Sequence, residues 1–115
     1  MKVYALKSCD TCRKALKALK EAHDDIEVTD IRKDGLPTED IARIIDAVGW
    51  DKALNRNSLT WRALDEPEKR DLDNVKAVQL ITAHPTLMKR PVVTDGETYT
   101  VGWKDEAKER WLAGP

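Results

Sequence analysis

The N-terminal third of the chain has a strand, a helix and a second strand in close succession. Residues 3–6 are a short apolar run bounded by lysines, which predicts a buried strand. From Thr11 to Ala22 the apolar residues recur at helical spacing, and residues 26–30 then alternate as a second strand. Two strands joined by a helix within roughly 30 residues make a βαβ unit, with parallel strands and a right-handed crossover. This unit places the chain in the α/β class.

The middle of the chain predicts helices. Thr38 is expected to cap a helix that ends at Gly49, and Asn74 to cap a second helix over residues 75–83. The segment 50–73 predicts only short helical turns. A helical insertion of about residues 37–90 therefore follows the βαβ unit.

The last third predicts a hairpin and a helix. Asp95-Gly96 is a strong signal for a two-residue turn, with a return strand over residues 98–101. Asp105 is expected to cap a final helix that runs to Leu112. A βαβ unit and a ββα unit would together form one mixed sheet of about four strands. We therefore expect residues 1–115 to form a single domain.

Composition and charge restrict the partners. The chain has 115 residues, of which 41% are hydrophobic and 36% charged, and its net charge is −1. Such a balance gives no field that favours nucleic acid or an anionic membrane, so we expect neither as a direct partner. The N-terminal apolar stretch is too short for a signal-peptide core, and no run approaches the roughly 20 residues that span a bilayer. We expect a cytoplasmic protein, and a monomer.

The sequence Cys9-Asp10-Thr11-Cys12 lies at the junction of the first strand and the first helix. The free N–H groups and positive dipole end of a helix favour an anion, so a thiol there should ionise more readily than a free cysteine. Cys12 lies on the same face, one turn into the helix, within reach of a disulfide with Cys9. We expect it to be the more buried sulfur.

Three interpretations of the two cysteines are open. A strand–CxxC–helix arrangement in a cytoplasmic βαβ unit favours a redox or nucleophilic Cys9. A zinc site is disfavoured, because the other soft ligands are His23 and His84 and lack zinc-finger spacing. We expect His23 to be exposed to solvent and neither histidine to be a catalytic base. An inert structural pair is the third interpretation.

An arginine precedes the third strand. Arg90 could orient an oxyanion or a carboxylate near Cys9, and Pro91 could follow a cis bond. The alternative is a surface arginine beside a proline that starts a strand. These residues alone leave both alternatives open, and Arg56 is by itself one charge among many.

Several segments together resemble one family. The opening, residues 4–15, resembles that of the arsenate reductase (ArsC)/Spx/YffB family, which has a thioredoxin-like fold. The similarity continues in collinear order through Lys33-Asp34-Gly35-Leu36, Val48-Gly49-Trp50, Leu54-Asn55-Arg56, Thr60-Trp61-Arg62 and residues 84–91. It is greatest for the YffB-like branch, whose members are thought to be glutathione-dependent thiol reductases.

The resemblance implies roles for individual residues. Cys9 matches the catalytic cysteine, and Cys12 matches the CxxC partner that senses oxidation in the Spx branch. Arg56 and Arg90 match two arginines that contact the oxyanion in arsenate reductases, and Pro91 matches a cis-proline. The third such arginine falls near Trp103 and is absent here, which counts against arsenate.

We therefore predict a thiol oxidoreductase with Cys9 and Cys12 as catalytic residues. Arg13, Arg56, Arg90 and Pro91 are the predicted substrate-binding residues. We expect no metal and no bound cofactor, with glutathione as co-substrate, a small thiol or oxyanion as substrate, and glutaredoxin or thioredoxin as a candidate protein partner. The alternatives are a Spx-like redox-sensing regulator that binds RNA polymerase, and an arsenate reductase.

Overall fold

In the computed structural model, which describes residues 1–112, the chain separates into two compact units. The first comprises Met1–Asp34 and the chain from Arg90 onward, and the second is Gly35–Lys89. The fold class is the predicted one, a mixed four-stranded sheet with helices.

The first unit contains the sheet. Its elements are β1 (Lys2–Ala5), α1 (Asp10–Ala22), β2 (Glu27–Asp30), β3 (Val92–Thr94), β4 (Tyr99–Val101) and α6 (Asp105–Leu112). The strand order is β2-β1-β3-β4. β1 pairs with β2 in parallel, as the βαβ unit predicts, whereas β3 runs antiparallel to both β1 and β4.

The core of this unit lies between the central strands and the helices α1 and α6. One cluster of buried side chains joins these elements: Val3, Ala5, Cys12, Leu19, Val93, Ala107 and Trp111. The Trp111 indole N–H donates to the Thr100 hydroxyl (2.8 Å), so the buried polar end of that ring is satisfied. The carboxyl end of β1 and the start of α1 therefore pack against this buried cluster.

The second unit is helical. It contains α2 (Thr38–Val48), α3 (Trp50–Ala53), α4 (Leu59–Ala63) and α5 (Asn74–Ala83), with 3₁₀ turns at Glu66–Lys69 and Pro85–Leu87. The predicted apolar stripe of α2 packs against α5, and its members Ile41, Ile44 and Ile45 are buried. The short helical turns predicted for residues 50–73 are confirmed.

Each predicted N-cap residue is instead the first residue of its helix, whereas Gly49 ends α2 as predicted. Thr38 is the first helical residue of α2, and the N-cap is Pro37. At α5 the N-cap is Asp73, whose carboxylate accepts from the Lys76 N–H (2.7 Å). The Asn74 side chain instead accepts from the Trp50 N–H (3.2 Å), a tertiary contact that sequence spacing does not reveal. Likewise Asp105 is already helical.

The hairpin turn also differs from the prediction. Thr94 pairs with Tyr99, so the loop has four residues rather than two, and Thr98 is not in the return strand. The Asp95 carboxylate accepts from the backbone N–H groups of Glu97 and Thr98 and holds the loop open at that length. These hydrogen bonds lower the pKa of Asp95, because they favour its charged form.

His23 is half-buried, contrary to the expectation that it is solvent-exposed. Its ring Nε2 lies 2.7 Å from the carbonyl oxygen of Trp111. This bond ties the end of α1 to the end of α6, a contact between residues far apart in the chain.

Candidate active site

Cys9 lies between β1 and α1. It is the N-cap residue of α1, with extended backbone (φ −94°, ψ 120°). Its N–H donates to the Leu6 carbonyl (3.1 Å), and its carbonyl accepts from the Arg13 N–H (3.0 Å). Both sides of the residue are thus held by main-chain bonds. The thiol is placed beside the first-turn amides, which have no partner within the helix.

Cys12 lies one turn along α1 and is fully buried, whereas Cys9 is half-buried. Both side chains are free thiols. The prediction that Cys12 is the deeper sulfur is confirmed. Since Cys12 belongs to the core cluster and Cys9 packs against that cluster, a reagent would reach Cys9 first.

Opposing effects act on the Cys9 thiol. Burial has the largest single effect and raises the pKa, because a thiolate loses hydration. The backbone N–H and thiol of Cys12, together with the Arg90 guanidinium, favour the thiolate and outweigh burial. The pKa of Cys9 is therefore lowered from its ordinary value. The Cys9 side chain makes no conventional cap hydrogen bond in α1.

The Cys12 thiol is shifted in the opposite direction. Burial, as the main cause, raises the pKa of Cys12 to about 11, against the effect of the Leu6 N–H. The neighbouring Cys9 sulfur adds to the shift, because a second negative charge beside the first is unfavourable. At neutral pH Cys12 is thus a protonated donor to an ionisable Cys9.

Arg90 and Pro91 complete this side of the site. The Arg90–Pro91 peptide bond is cis, as the family resemblance implies. Pro91 is buried, and its carbonyl accepts from the Gly102 N–H (3.0 Å) at the end of β4. The Arg90 Nε is buried, and the guanidinium both attracts and hydrogen-bonds the Cys9 sulfur. The structure thus brings Cys9, Cys12 and Arg90 together.

The Arg13 side chain is turned towards its own segment of chain. Its guanidinium forms an ion pair with the Asp10 carboxylate and donates to the Lys7 carbonyl (3.3 Å). The side chain remains exposed at the surface.

Arg56 belongs to the helical unit. Its guanidinium donates to the Asp51 carboxylate (2.5 Å) and lies 5.7 Å from the centre of the Trp50 ring. Both contacts hold the side chain extended at the surface, and its charge is shared with a carboxylate. Its predicted role as a substrate arginine remains a prediction.

Sequence reasoning did not identify the Cys12 amide and the Gly102 N–H as parts of the site. The first could have been found, because the amide three residues after an N-cap faces the capping side chain. The second depends on the pairing of β3 with β4, which brings residue 102 beside Pro91. Gly102 has φ +79°, a left-handed conformation that favours glycine.

Among residues 1–112, no group of three or more His, Cys, Asp or Glu side chains is placed to hold a metal ion. In that same part of the chain, no helix has the length and apolarity needed to cross a membrane.

Comparison with known proteins identifies the family of the chain. The profile of the ArsC family matches residues 4–111. The chain belongs to the ArsC family. The match includes Cys9, Cys12, Arg90 and Pro91, so the candidate site of the first unit lies within the family domain, and it also includes Arg56 of the second unit.

Two solved structures and one relative found by sequence match nearly the whole of this chain. A solved structure named YFFB protein is 38% identical, with a TM-score of 0.89, and the match covers 97% of this chain and 98% of that one. An arsenate reductase (ArsC) related protein from Brucella melitensis is 33% identical, with a TM-score of 0.73 and coverage of 98% and 94%. The global transcriptional regulator Spx of Lactiplantibacillus plantarum is 28% identical, over 96% of this chain and 84% of the regulator.

Proposed function

We propose that this ArsC-family protein is a cytoplasmic thiol–disulfide oxidoreductase that uses glutathione as co-substrate. The observation that carries the proposal is the pair of opposite pKa shifts within one helical turn. Cys9 has a lowered pKa and is accessible, whereas Cys12 has a pKa of about 11 and is buried. A nucleophile and a protonated reserve thiol are thereby distinguished by their surroundings.

The first step is attack by the Cys9 thiolate on one sulfur of a substrate disulfide. The Cys9–substrate bond forms as the substrate's own sulfur–sulfur bond breaks, and the second substrate sulfur leaves as a thiolate that takes a proton from water. Arg90 lies at the reacting sulfur. Its guanidinium would stabilise the negative charge shared by the entering and leaving sulfurs and orient a carboxylate of the substrate.

The mixed disulfide has two possible resolving thiols. Cys12 could give up its proton and attack the Cys9 sulfur, which releases the substrate thiol and leaves a Cys9–Cys12 disulfide. Two glutathione molecules would then reduce that disulfide and leave as oxidised glutathione. Alternatively, a glutathione thiolate attacks the Cys9 sulfur, so that the substrate sulfur leaves as a thiolate and a Cys9–glutathione disulfide forms. A second glutathione then attacks the glutathione sulfur of that disulfide, which frees the Cys9 thiolate and releases oxidised glutathione. The high pKa of Cys12 favours the second route, because little thiolate forms at neutral pH.

Mass spectrometry of the chain after exposure to oxidised glutathione tests the proposal. We expect a glutathione adduct on Cys9 in the wild type and a more persistent one in Cys12→Ser. An unmodified Cys9 under conditions that modify a free cysteine peptide would refute the proposal.

A redox-sensing regulator is the second candidate. The similarity to Spx, a transcriptional regulator, and the two free thiols support it. A pull-down with RNA polymerase, using reduced and oxidised chain, separates this candidate from turnover of a disulfide substrate. Arsenate reduction is the third, tested by arsenate-dependent oxidation of glutathione through glutaredoxin.

A further inference from the structure

The segment that carries the nucleophile is a short connection. β1 ends at Ala5 and α1 begins at Asp10, so Cys9 lies on a loop of four residues. A loop position is less constrained than a strand or helix interior. The position of the Cys9 sulfur relative to the Cys12 amide and Arg90 therefore depends on what holds this loop.

Arg13 contacts the loop at three points. Its backbone N–H donates to the Cys9 carbonyl (3.0 Å). Its guanidinium donates to the Lys7 carbonyl (3.3 Å) and forms the ion pair with Asp10. One side chain on the first turn of α1 thus holds the residues on both sides of Cys9. The planar guanidinium suits this task, because its donors point in fixed, divergent directions.

Asp10 would work against the nucleophile if it were left alone. Its carboxylate immediately follows Cys9, and a negative charge beside a thiol disfavours the thiolate. A carboxylate in the first turn of a helix is itself favourable, so the position stabilises α1 while opposing the chemistry. The Arg13 guanidinium turns that single charge into a neutral pair.

From these contacts we infer that Arg13 is a positioning residue for Cys9, and that it acts by holding the loop 6–9 through the Lys7 carbonyl and by neutralising Asp10 at the start of α1. This differs from the substrate-binding role that the sequence suggests for Arg13. The inference rests on the proposed role of Cys9 as nucleophile, but it does not depend on which disulfide or thiol is the substrate.

Apart from burial, the groups that shift the pKa of Cys9 are the Cys12 thiol and amide and the Arg90 guanidinium. These come from within α1 and from the residue before β3. Lys7 and Asp10 flank the cysteine on its own segment. A substitution at Arg13 leaves the Cys12 and Arg90 groups in place. A change in the ionisation of Cys9 would therefore come from the altered loop position or from the unpaired Asp10 carboxylate.

The test is the rate of Cys9 alkylation by iodoacetamide against pH, with the modified residue assigned by mass spectrometry. Arg13→Ala should raise the pH midpoint and slow alkylation about two- to fivefold at pH 7, the size expected of an exposed ion pair. Arg13→Lys should restore only part of the rate, because it keeps the positive charge beside Asp10 but lacks the divergent donors of the guanidinium. In an Asp10→Asn background, Arg13→Ala should have a much smaller effect, because no carboxylate is left to neutralise.

Lys17→Ala is the matched control, since it removes the same charge from an exposed position further along α1. The Arg13 side chain is 60% exposed, so the fold should persist, and circular dichroism checks this. A midpoint in Arg13→Ala equal to that in Lys17→Ala would overturn the inference, as would an undiminished effect in the Asp10→Asn background. Failure to exchange with glutathione would count against the proposed function alone, because alkylation needs no physiological substrate.

Discussion

The starts of helices α1 and α5 use the same position in opposite ways. At α5 the N-cap is Asp73, and its carboxylate accepts from the Lys76 amide three residues on. At α1 the N-cap is Cys9, and no side-chain atom caps the helix in the conventional way. A carboxylate cap stabilises its helix, whereas a thiol leaves the first-turn amides available to an anionic sulfur. In α1 the position serves ionisation of a thiol rather than stability.

The largest effect should come from removing the Cys9 sulfur, whereas removing the Cys12 sulfur should leave the first step intact. Cys9→Ser should abolish exchange with oxidised glutathione, because a hydroxyl at the N-cap is not ionised at neutral pH. Cys12→Ser should keep the mixed disulfide at Cys9. The measurement is adduct formation by mass spectrometry. An active Cys9→Ser protein together with an inactive Cys12→Ser protein would reverse the two assignments.

The next largest effect should come from removing the positive charge of Arg90 beside the Cys9 thiol. Arg90→Ala should raise the pKa of Cys9 and slow its alkylation severalfold at pH 7, because an opposite charge close to a thiolate favours ionisation. Iodoacetamide rates against pH, measured in the Cys12→Ser background, follow this shift. Arg62→Ala, an exposed arginine of the helical unit, is the control for loss of charge. An unchanged pH midpoint of Cys9 alkylation in Arg90→Ala would mean that Arg90 does not lower the pKa of Cys9, and that the helix terminus alone favours the thiolate.

The buried partner thiol should make stability depend on alkaline pH. The folded chain keeps the Cys12 proton up to a pKa of about 11, whereas an unfolded thiol loses it near 9.0. The folded state then holds more protons, so the free energy of unfolding falls as pH rises through this window. Between pH 8 and 10, urea unfolding of the wild type should show a loss of about 1 kcal/mol relative to Cys12→Ala. Cys9 acts in the opposite direction, because folding lowers its pKa and the unfolded thiol ionises within this window, so the contribution of Cys12 is taken from the difference between the two proteins. Equal slopes in both proteins would show that the Cys12 pKa is not raised.

The smallest effects concern how much each N-cap residue, Cys9 or Asp73, contributes to the free energy of unfolding. Asp73→Ala should lower the free energy of unfolding by about 1 kcal/mol and leave Cys9 reactivity unchanged. Cys9→Ser should raise it by a few tenths of a kcal/mol up to about 1 kcal/mol, because a serine oxygen can accept from the first-turn amides. Chemical denaturation of both variants and of the wild type measures these two changes in the free energy of unfolding. Destabilisation by Cys9→Ser would mean that the sulfur contributes packing that outweighs a better cap.

Much of the first unit followed from local pattern. The short apolar run before the CxxC, the helical spacing after it and the alternation at residues 26–30 predicted the βαβ unit, because each element repeats with its own period. Placement of Cys9 at the start of α1 followed from the same pattern. The greater burial of Cys12 followed from its position on the apolar face.

Errors occurred where a short polar side chain had several possible partners. Asn74 was predicted as a cap because asparagine is a good one, but its amide oxygen binds the Trp50 N–H and leaves the cap to Asp73. Asp95-Gly96 signalled a two-residue turn, but the Asp95 carboxylate binds two amides and lengthens the loop. A tertiary contact with Trp50 decided the role of Asn74, whereas amides two and three residues along the chain decided the role of Asp95.

By itself, the sequence determined the α/β class, the βαβ unit and the placement of a thiol at a helix start, because these depend on neighbours within one or two turns of chain. Only the tertiary structure decided which charges reach that thiol. Arg90 is some 80 residues from Cys9 along the chain, and it reaches the sulfur because β3 pairs with β1. Arg13 is near Cys9 in sequence, yet the sequence does not specify that its side chain contacts Asp10 and the Lys7 carbonyl, because these contacts depend on the conformation of the loop. Electrostatic interactions depend on distance through space, and sequence spacing specifies that distance only within a regular element.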